Sequence, residues 1–296
     1  MTAAWSTGSI TSGGERIHFE RAGSGDAVLF CHGLGGNHAV WFQQVPVFAE
    51  RFDVITWDQR GFGMSTNDAG ESSPAAAVQD IGALLDHLSI DRAHLVGQSM
   101  GGWAVMGFAL AAPERVASLA ICDSTAGVWN DDVGAAFAGR DAPAPPQPVI
   151  GSHTAIGKAL RERDLVKAFL YQQIGGFRGA VDDGDMVSRL FGTRYAAEDV
   201  ARLSMPVLAL VGADDDLIPP AAIKAVAASI PGATYVEIPD AGHSPYFEQP
   251  DAWNAAVMGF LARAHAGGAD ARTTRRLDAV ERMSSSKEGD DGAADR

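Results

Sequence analysis

The sequence predicts an α/β fold built on a doubly wound, mostly parallel sheet. Apolar runs of strand length recur along the chain without polar alternation, as strands buried on both faces require. Helical periodicities separate these runs, and such alternation lays helices over both faces of a sheet. A serine framed by glycines between one such run and a helix marks where chemistry is to be sought.

In chain order, an antiparallel hairpin is expected from Gly8 to Gly23, with Gly13-Gly14 as its turn and residues 15–20 as its second strand. Apolar strands follow at 27–31, 52–57, 93–96, 116–122, 206–211 and 234–238. A helix is expected over 75–88, where Val78, Ile81, Leu84, Leu85 and Leu88 share one face. Another is expected over 102–110, closed by Pro113, and two more over 220–230 and 251–265.

Residues 126–201 break the alternation, because no strand-like run occurs there. The stretch opens on the proline-rich segment 141–148 and then turns helical, with Leu165, Phe169, Leu170, Ile174 and Phe177 as one expected apolar face. It reads as a helical cap inserted into a core formed by residues 1–125 and 202–266. Residues 267–296 are small and polar, cannot bury enough apolar surface to offset their ordering entropy, and are expected to be a disordered tail.

With 296 residues, 46% of them hydrophobic, the chain can build one large core. Its net charge of −14 opposes binding to nucleic acid and to anionic membrane surfaces. No segment is long and apolar enough to span a bilayer. The first residues lack the basic start and apolar stretch of a secretory signal. Cys31 and Cys122 each end an apolar run and read as buried thiols in a reducing compartment rather than as a disulfide. A cytoplasmic protein is expected, a monomer or homodimer acting on a small molecule.

The chemistry centres on Gly97-Gln98-Ser99-Met100-Gly101. A turn from strand to helix too sharp for flanking side chains requires glycine where the two elements meet, and it holds the serine hydroxyl clear of the backbone. A serine hydroxyl is a poor nucleophile unless a base lies within hydrogen-bond reach and a carboxylate orients that base. Loops after the carboxyl ends of parallel strands are where such groups gather. The two late strands supply Asp214, Asp215 and Asp216, then Asp240-Ala241-Gly242-His243-Ser244. His243 stands alone among the eight histidines on a glycine-led loop after a late strand. His18, His87, His94, His153 and His265 read as strand, helix-surface or loop residues. The aspartate run has no histidine or cysteine beside it and fits no calcium loop, so no metal is expected. The glycine-rich loop Cys31-His32-Gly33-Leu34-Gly35-Gly36-Asn37 can turn a backbone N–H towards the site, and the Met100 N–H is a second donor for an oxyanion.

From about Glu15 to His265 the chain resembles the α/β-hydrolase-fold family. The blocks that carry the resemblance are His32 to Gly36, Trp57 to Ser65, Gly97 to Gly102, Gly212 to Pro220, and Ala241 to Ser244 followed by Glu248-Gln249-Pro250. The resemblance implies Ser99 as nucleophile, His243 as base, Asp215 rather than its neighbours as the acid, and the Leu34 and Met100 N–H groups as oxyanion donors. It implies a structural role for Arg60. A serine at position 99 sets aside the haloalkane dehalogenases and epoxide hydrolases, which use aspartate. An oxyanion loop without proline sets aside the prolyl iminopeptidases. The span from Trp57 to Gly102, with a short helical cap, is similar to small esterases and to 3-oxoadipate enol-lactonases. The expected activity is cleavage of an ester or lactone bond of a small, partly apolar substrate, without cofactor, with Phe169, Phe177 and Phe191 as expected liners. Two alternatives stay open: a carbon–carbon bond hydrolase of ring-cleavage products using the same residues, and a small-molecule receptor that keeps the triad.

Overall fold

A computed structural model describes residues 4–140, 149–177 and 183–265. Strands β1 (Trp5–Ser12) and β2 (Glu15–Gly23) form the expected hairpin, which begins three residues before the predicted start at Gly8 because Trp5 already pairs with Ala22. Its two-residue turn needs positive φ at both positions, and Gly13 and Gly14 supply it, at 55° and 85°.

The hairpin joins an eight-stranded sheet in the order β1-β2-β4-β3-β5-β6-β7-β8. The remaining strands are β3 (Asp26–Cys31), β4 (Phe52–Trp57), β5 (Ala93–Gln98), β6 (Val116–Cys122), β7 (Val207–Gly212) and β8 (Thr234–Ile238). From β4 through β8 every neighbouring pair is parallel. The chain lays β4 on one side of β3 and β5 on the other, so the winding reverses there. Loops leaving the carboxyl ends of the strands diverge at such a point and open a crevice. The strand at 234–238 departs from expectation. It is the sheet edge, paired with β7 alone, and its Thr234 and Glu237 are exposed.

Helices cover both faces. In chain order those of the core are α1 (Val45–Phe48), α2 (Pro74–His87) and α3 (Met100–Ala111). Between β6 and β7 come α4 (Asp131–Phe137), α5 (Lys158–Arg163), α6 (Leu165–Gly175), α7 (Asp183–Gly192) and α8 (Ala197–Val200). The chain then forms α9 (Pro220–Ala228), α10 (Pro245–Glu248) and α11 (250–265). Ser73 caps α2 by accepting the Ala76 N–H at 3.1 Å. Ile81, Leu84 and Leu85 of that helix bury against Leu29, Ile55 and Leu95 of the sheet. The opposite face is aromatic: Phe30, Trp41, Phe48, Tyr246 and Trp253 pack with ring centroids 4.7–6.4 Å apart. Truncating one such buried ring costs about 3–5 kcal/mol, so this face is a large share of the core.

Among the described residues of 126–201 the one strand-like feature is an isolated bridge between Val128 and Tyr195. Helix α6 does not bury the expected face. Leu165, Phe169, Leu170 and Phe177 remain 52%, 38%, 42% and 75% exposed, while Ala168 is buried and Tyr171 and Ile174 pack on the aromatic core. The small residues decide the contact: a Cβ on Gly175 would lie 3.4 Å from the Gly35 carbonyl, so this side of α6 comes close to the neighbouring loop. Cys31 and Cys122 are buried free thiols, as expected. Both the proline-rich 141–148 and the tail 267–296 lie outside the described residues.

Candidate active site

Strand β5 and helix α3 meet with almost no space between them. A Cβ on Gly101 would stand 2.2 Å from the Cys31 carbonyl oxygen, and one on Gly97 would stand 2.5 Å from the Gly101 carbonyl. Only glycine fits at either position. The residue between them takes the strain: Ser99 has φ 50° and ψ −117°, a conformation that costs a non-glycine residue on the order of 1–3 kcal/mol. Its N–H donates to the Cys122 carbonyl at 2.9 Å, which ties the elbow to the end of β6. The strand runs on to Gln98 and the helix starts at Met100, so the turn is a single residue and sharper than the sequence predicted.

Three elements bring the predicted triad together. His243 Nε2 lies 2.8 Å from Ser99 Oγ, and His243 Nδ1 lies 2.8 Å from Asp215 Oδ2. With the carboxylate at Nδ1, the ring carries its proton there and turns the Nε2 lone pair to the hydroxyl. Asp215 Oδ1 accepts the N–H groups of Leu217 and Ile218 at 2.8 and 2.9 Å, which fixes the carboxylate. Asp215 and His243 are buried, whereas Ser99 is half-buried. The three adjacent aspartates separate cleanly: Asp214 and Asp216 are exposed, and Asp216 faces Arg140 at 3.8 Å.

The glycine-rich loop after β3 lies beside the elbow. His32 holds it: the ring Nδ1 donates to the Gly33 carbonyl at 2.8 Å and Nε2 accepts the Gln59 N–H at 3.0 Å. Burial pushes this imidazole down from its ordinary pKa, which keeps it neutral as those two roles require. The Gln59 side chain donates back to the His32 carbonyl at 2.7 Å. Among the described residues, neither the Leu34 N–H nor the Met100 N–H donates to a backbone carbonyl. Met100 begins a helix whose N-terminus favours negative charge. Arg60 is held by an ion pair. Its guanidinium grips Asp80 of α2 through two 2.8 Å bonds and is buried beneath the hairpin.

The alpha/beta hydrolase family matches residues 28–256. The chain belongs to that family. The enzyme is 30% identical over 267 residues to BpoC of Mycobacterium tuberculosis, named as a candidate non-heme bromoperoxidase, which covers 83% of this chain and 97% of the relative. It is 28% identical over 276 residues to 3-oxoadipate enol-lactonase 2 of Acinetobacter baylyi, at 86% and 96% coverage. A thermophilic esterase from Thermogutta terrifontis superposes with a TM-score of 0.74 at 26% identity, covering 88% of this chain and 99% of the esterase.

Sequence reasoning left other site residues of this alpha/beta hydrolase unassigned. Glu248, quoted only as part of a motif, is a buried brace for the histidine loop. It accepts the N–H groups of Gly242 at 3.0 Å and Ser244 at 3.3 Å on either side of His243, and that of Gly157 at 3.0 Å. Burial raises its carboxyl above the ordinary range despite these three donors. Tyr171 of α6 receives the Ser244 hydroxyl at 2.9 Å. Helix α7 lays Met186 and Leu190 against Phe62, Met100 and Trp103, with Leu34 beside them. Phe191 meets Trp103 edge-on, with ring centroids 5.9 Å apart, yet is as exposed as Phe169, and Phe177 is more exposed still. Two clusters carry several metal-ligand types, Asp123-Asp215-His243 and His18-His38-Asp58. In each, two of the three are paired, Asp215 with His243 and Asp58 with His38, while Asp123 Oδ2 and His18 Nε2 have no hydrogen-bond partner among the described residues. In the second, Asp58 accepts His38 Nδ1–H at 2.8 Å and the backbone N–H groups of His38 and Met64 at 2.6 and 2.8 Å. No helix among the described residues is long and apolar enough to cross a membrane.

Proposed function

We propose that this alpha/beta hydrolase cleaves a carboxylic ester or lactone bond of a small, partly apolar substrate through a covalent acyl-serine. The observation that carries this reading is the unbroken chain Ser99 Oγ to His243 Nε2 to His243 Nδ1 to Asp215, with 2.8 Å at each contact, built on a strained serine. Ser99 attacks the substrate carbonyl as His243 Nε2 takes its proton. Asp215 holds the ring and offsets the positive charge that forms on it. The carbonyl oxygen becomes an alkoxide between the Leu34 and Met100 N–H groups. His243 then returns the proton to the leaving alcohol, or to the ring-opened hydroxyl of a lactone. Water, activated by the same imidazole, releases the acid.

The helices between β6 and β7 act as a cap in this reading. Met186 and Leu190 of α7, with Leu34, Phe62 and Trp103, give the acyl side an apolar wall, which supports a partly apolar substrate. The enol-lactonase and esterase relatives fit the same bond types.

The test is one preparation assayed with p-nitrophenyl esters of graded chain length, small lactones, and a dienoate ring-cleavage product, with Ser99→Ala as the blank. Turnover of esters or lactones above that blank, strongest for short to medium acyl chains, supports the proposal. Turnover confined to the dienoate assigns the same residues to carbon–carbon bond cleavage. Tight binding without turnover makes the protein a receptor.

A further inference from the structure

A second carboxylate is buried behind the triad. Asp123 is the first residue after β6, has φ 51°, and is fully enclosed. Its Oδ1 accepts the Gly212 N–H at 2.9 Å, but its Oδ2 has no donor among the described residues. That orphan oxygen is not far from partners. Asp123, Asp215 and His243 each present an atom within 4.8 Å of the other two.

Two ionised carboxylates cannot share a dry site at this separation without a large repulsion, so one of the pair keeps a proton. The hydrogen bonds decide which. Asp215 already accepts two backbone N–H groups and the imidazole N–H, so both its oxygens are engaged as acceptors. Asp123 receives a single backbone N–H. A proton on Asp123 Oδ2 removes the orphan, because two acceptors facing one another become a donor and an acceptor.

We propose, on the reading of Ser99, His243 and Asp215 given above, that Asp123 is a neutral carboxylic acid that donates to Asp215 and takes over as the acid partner of His243 when the charge at position 215 is removed. Burial, and next the charge of Asp215, pushes the Asp123 carboxyl well above the usual carboxylate range, which agrees with the protonated state. The other titratable groups around it are Glu248 and Tyr246 of α10, Tyr171 of α6 and the thiol of Cys122. Glu248 adds to the same upward push. With Asp215 neutralised, the main like charge is gone. Burial still holds its carboxyl up, so Asp123 loses its proton to solvent only as pH rises, and its carboxylate lies within 4.8 Å of a His243 ring nitrogen.

The experiment is a double-mutant cycle on ester hydrolysis, measured as kcat/KM from pH 5 to 9. It uses wild type, Asp123→Asn, Asp215→Asn and the double variant, with melting curves for each. Asp215→Asn should lose about a hundredfold, and the double variant roughly ten-thousandfold, the loss typical of a histidine left without its acid. Asp123→Asn alone should cost only a few-fold. The residual activity of Asp215→Asn should rise along an ionisation that the double variant lacks, which a merely structural role would not produce. Asp123→Ser repeats the cycle if Asp123→Asn does not fold. Equal losses in Asp215→Asn and the double variant, or a large loss from Asp123→Asn alone, overturn the proposal. Wild type that hydrolyses no ester, or that a phosphonate fails to label at Ser99, instead removes the reading on which it rests.

Discussion

The side-chain amide of Gln98 donates to the backbone carbonyl of His243 at 2.8 Å. Gln98 is the last residue of β5, directly before Ser99. One strand end therefore carries Ser99, the proposed nucleophile, and grips the loop that carries His243, its proposed base, so the 2.8 Å contact between them is set through the backbone on both sides. Gln98→Met keeps the volume and removes the donor, leaving a buried carbonyl unpaired at about 1–3 kcal/mol. The expected result is a kcat lowered at least tenfold, KM nearly unchanged, and a lower melting temperature. Unchanged kcat would show that the loop is held without this bond.

Gly101→Ala tests the elbow itself. The added Cβ meets the Cys31 carbonyl at 2.2 Å and the His32 carbonyl at 2.9 Å, and both are backbone atoms that cannot swing away. Overpacking of this kind costs about 1–3 kcal/mol or more, so the variant should melt well below wild type and lose its activity together with its fold. Gly82→Ala, where the new methyl meets only Phe108 at 3.6 Å within α2, should instead be neutral or raise stability by about 0.5–1 kcal/mol. Thermal melts of the two variants side by side decide this.

The elbow was legible in the sequence because its constraints are local. Glycines at 97 and 101 announce a clash that only glycine avoids, and strand and helix patterns on either side say which elements collide. The fold class was legible for a similar reason, since β3 to β7 are buried on both faces and read as unbroken apolar runs. What depends on distant neighbours was not legible. The exposure of β8 follows from its place at the sheet edge, which the sheet order decides and only Thr234 and Glu237 hint at in the sequence. The face that α6 buries is set by neighbours distant in sequence, with Gly175 close to the Gly35 carbonyl and Ala168 close to Gly151, while Phe169 and Leu170 stay exposed. Asp123 ends an apolar run like many loop aspartates, and only the folded sheet brings it to Asp215.

The three consecutive aspartates separate by mutation as they do in space. Asp214→Asn and Asp216→Asn change exposed side chains, and the Asp216 side chain is 93% exposed beside Arg140. Surface pairs of this sort contribute about 0–1 kcal/mol. Both variants should hydrolyse the test ester within about twofold of wild type and melt at nearly the same temperature. A large loss in either would move the acid away from Asp215.

His94 makes stability depend on pH. It is buried in β5, with Nδ1 2.8 Å from the Ser118 hydroxyl, and burial pushes its pKa down from 6.5 to about 4. The folded protein therefore binds fewer protons here than the unfolded chain between those values. The stability tied to neutral His94 is complete above pH 6.5 and drains away as pH falls towards about 4, by on the order of 3 kcal/mol. Melting temperatures from pH 7 down to 4 should fall steeply for wild type and less steeply for His94→Gln. Parallel curves would assign the acid sensitivity to another group.

The account stands on Ser99 as the nucleophile. Its most direct measurement is intact-mass and peptide analysis after a serine-reactive phosphonate, run beside a turnover assay. One adduct per chain on Ser99 is predicted, with activity lost in proportion to labelling. Ser99→Ala should take up no label, melt like wild type and hydrolyse nothing above the blank. A label on another residue, or an alanine variant that keeps wild-type turnover, would contradict it.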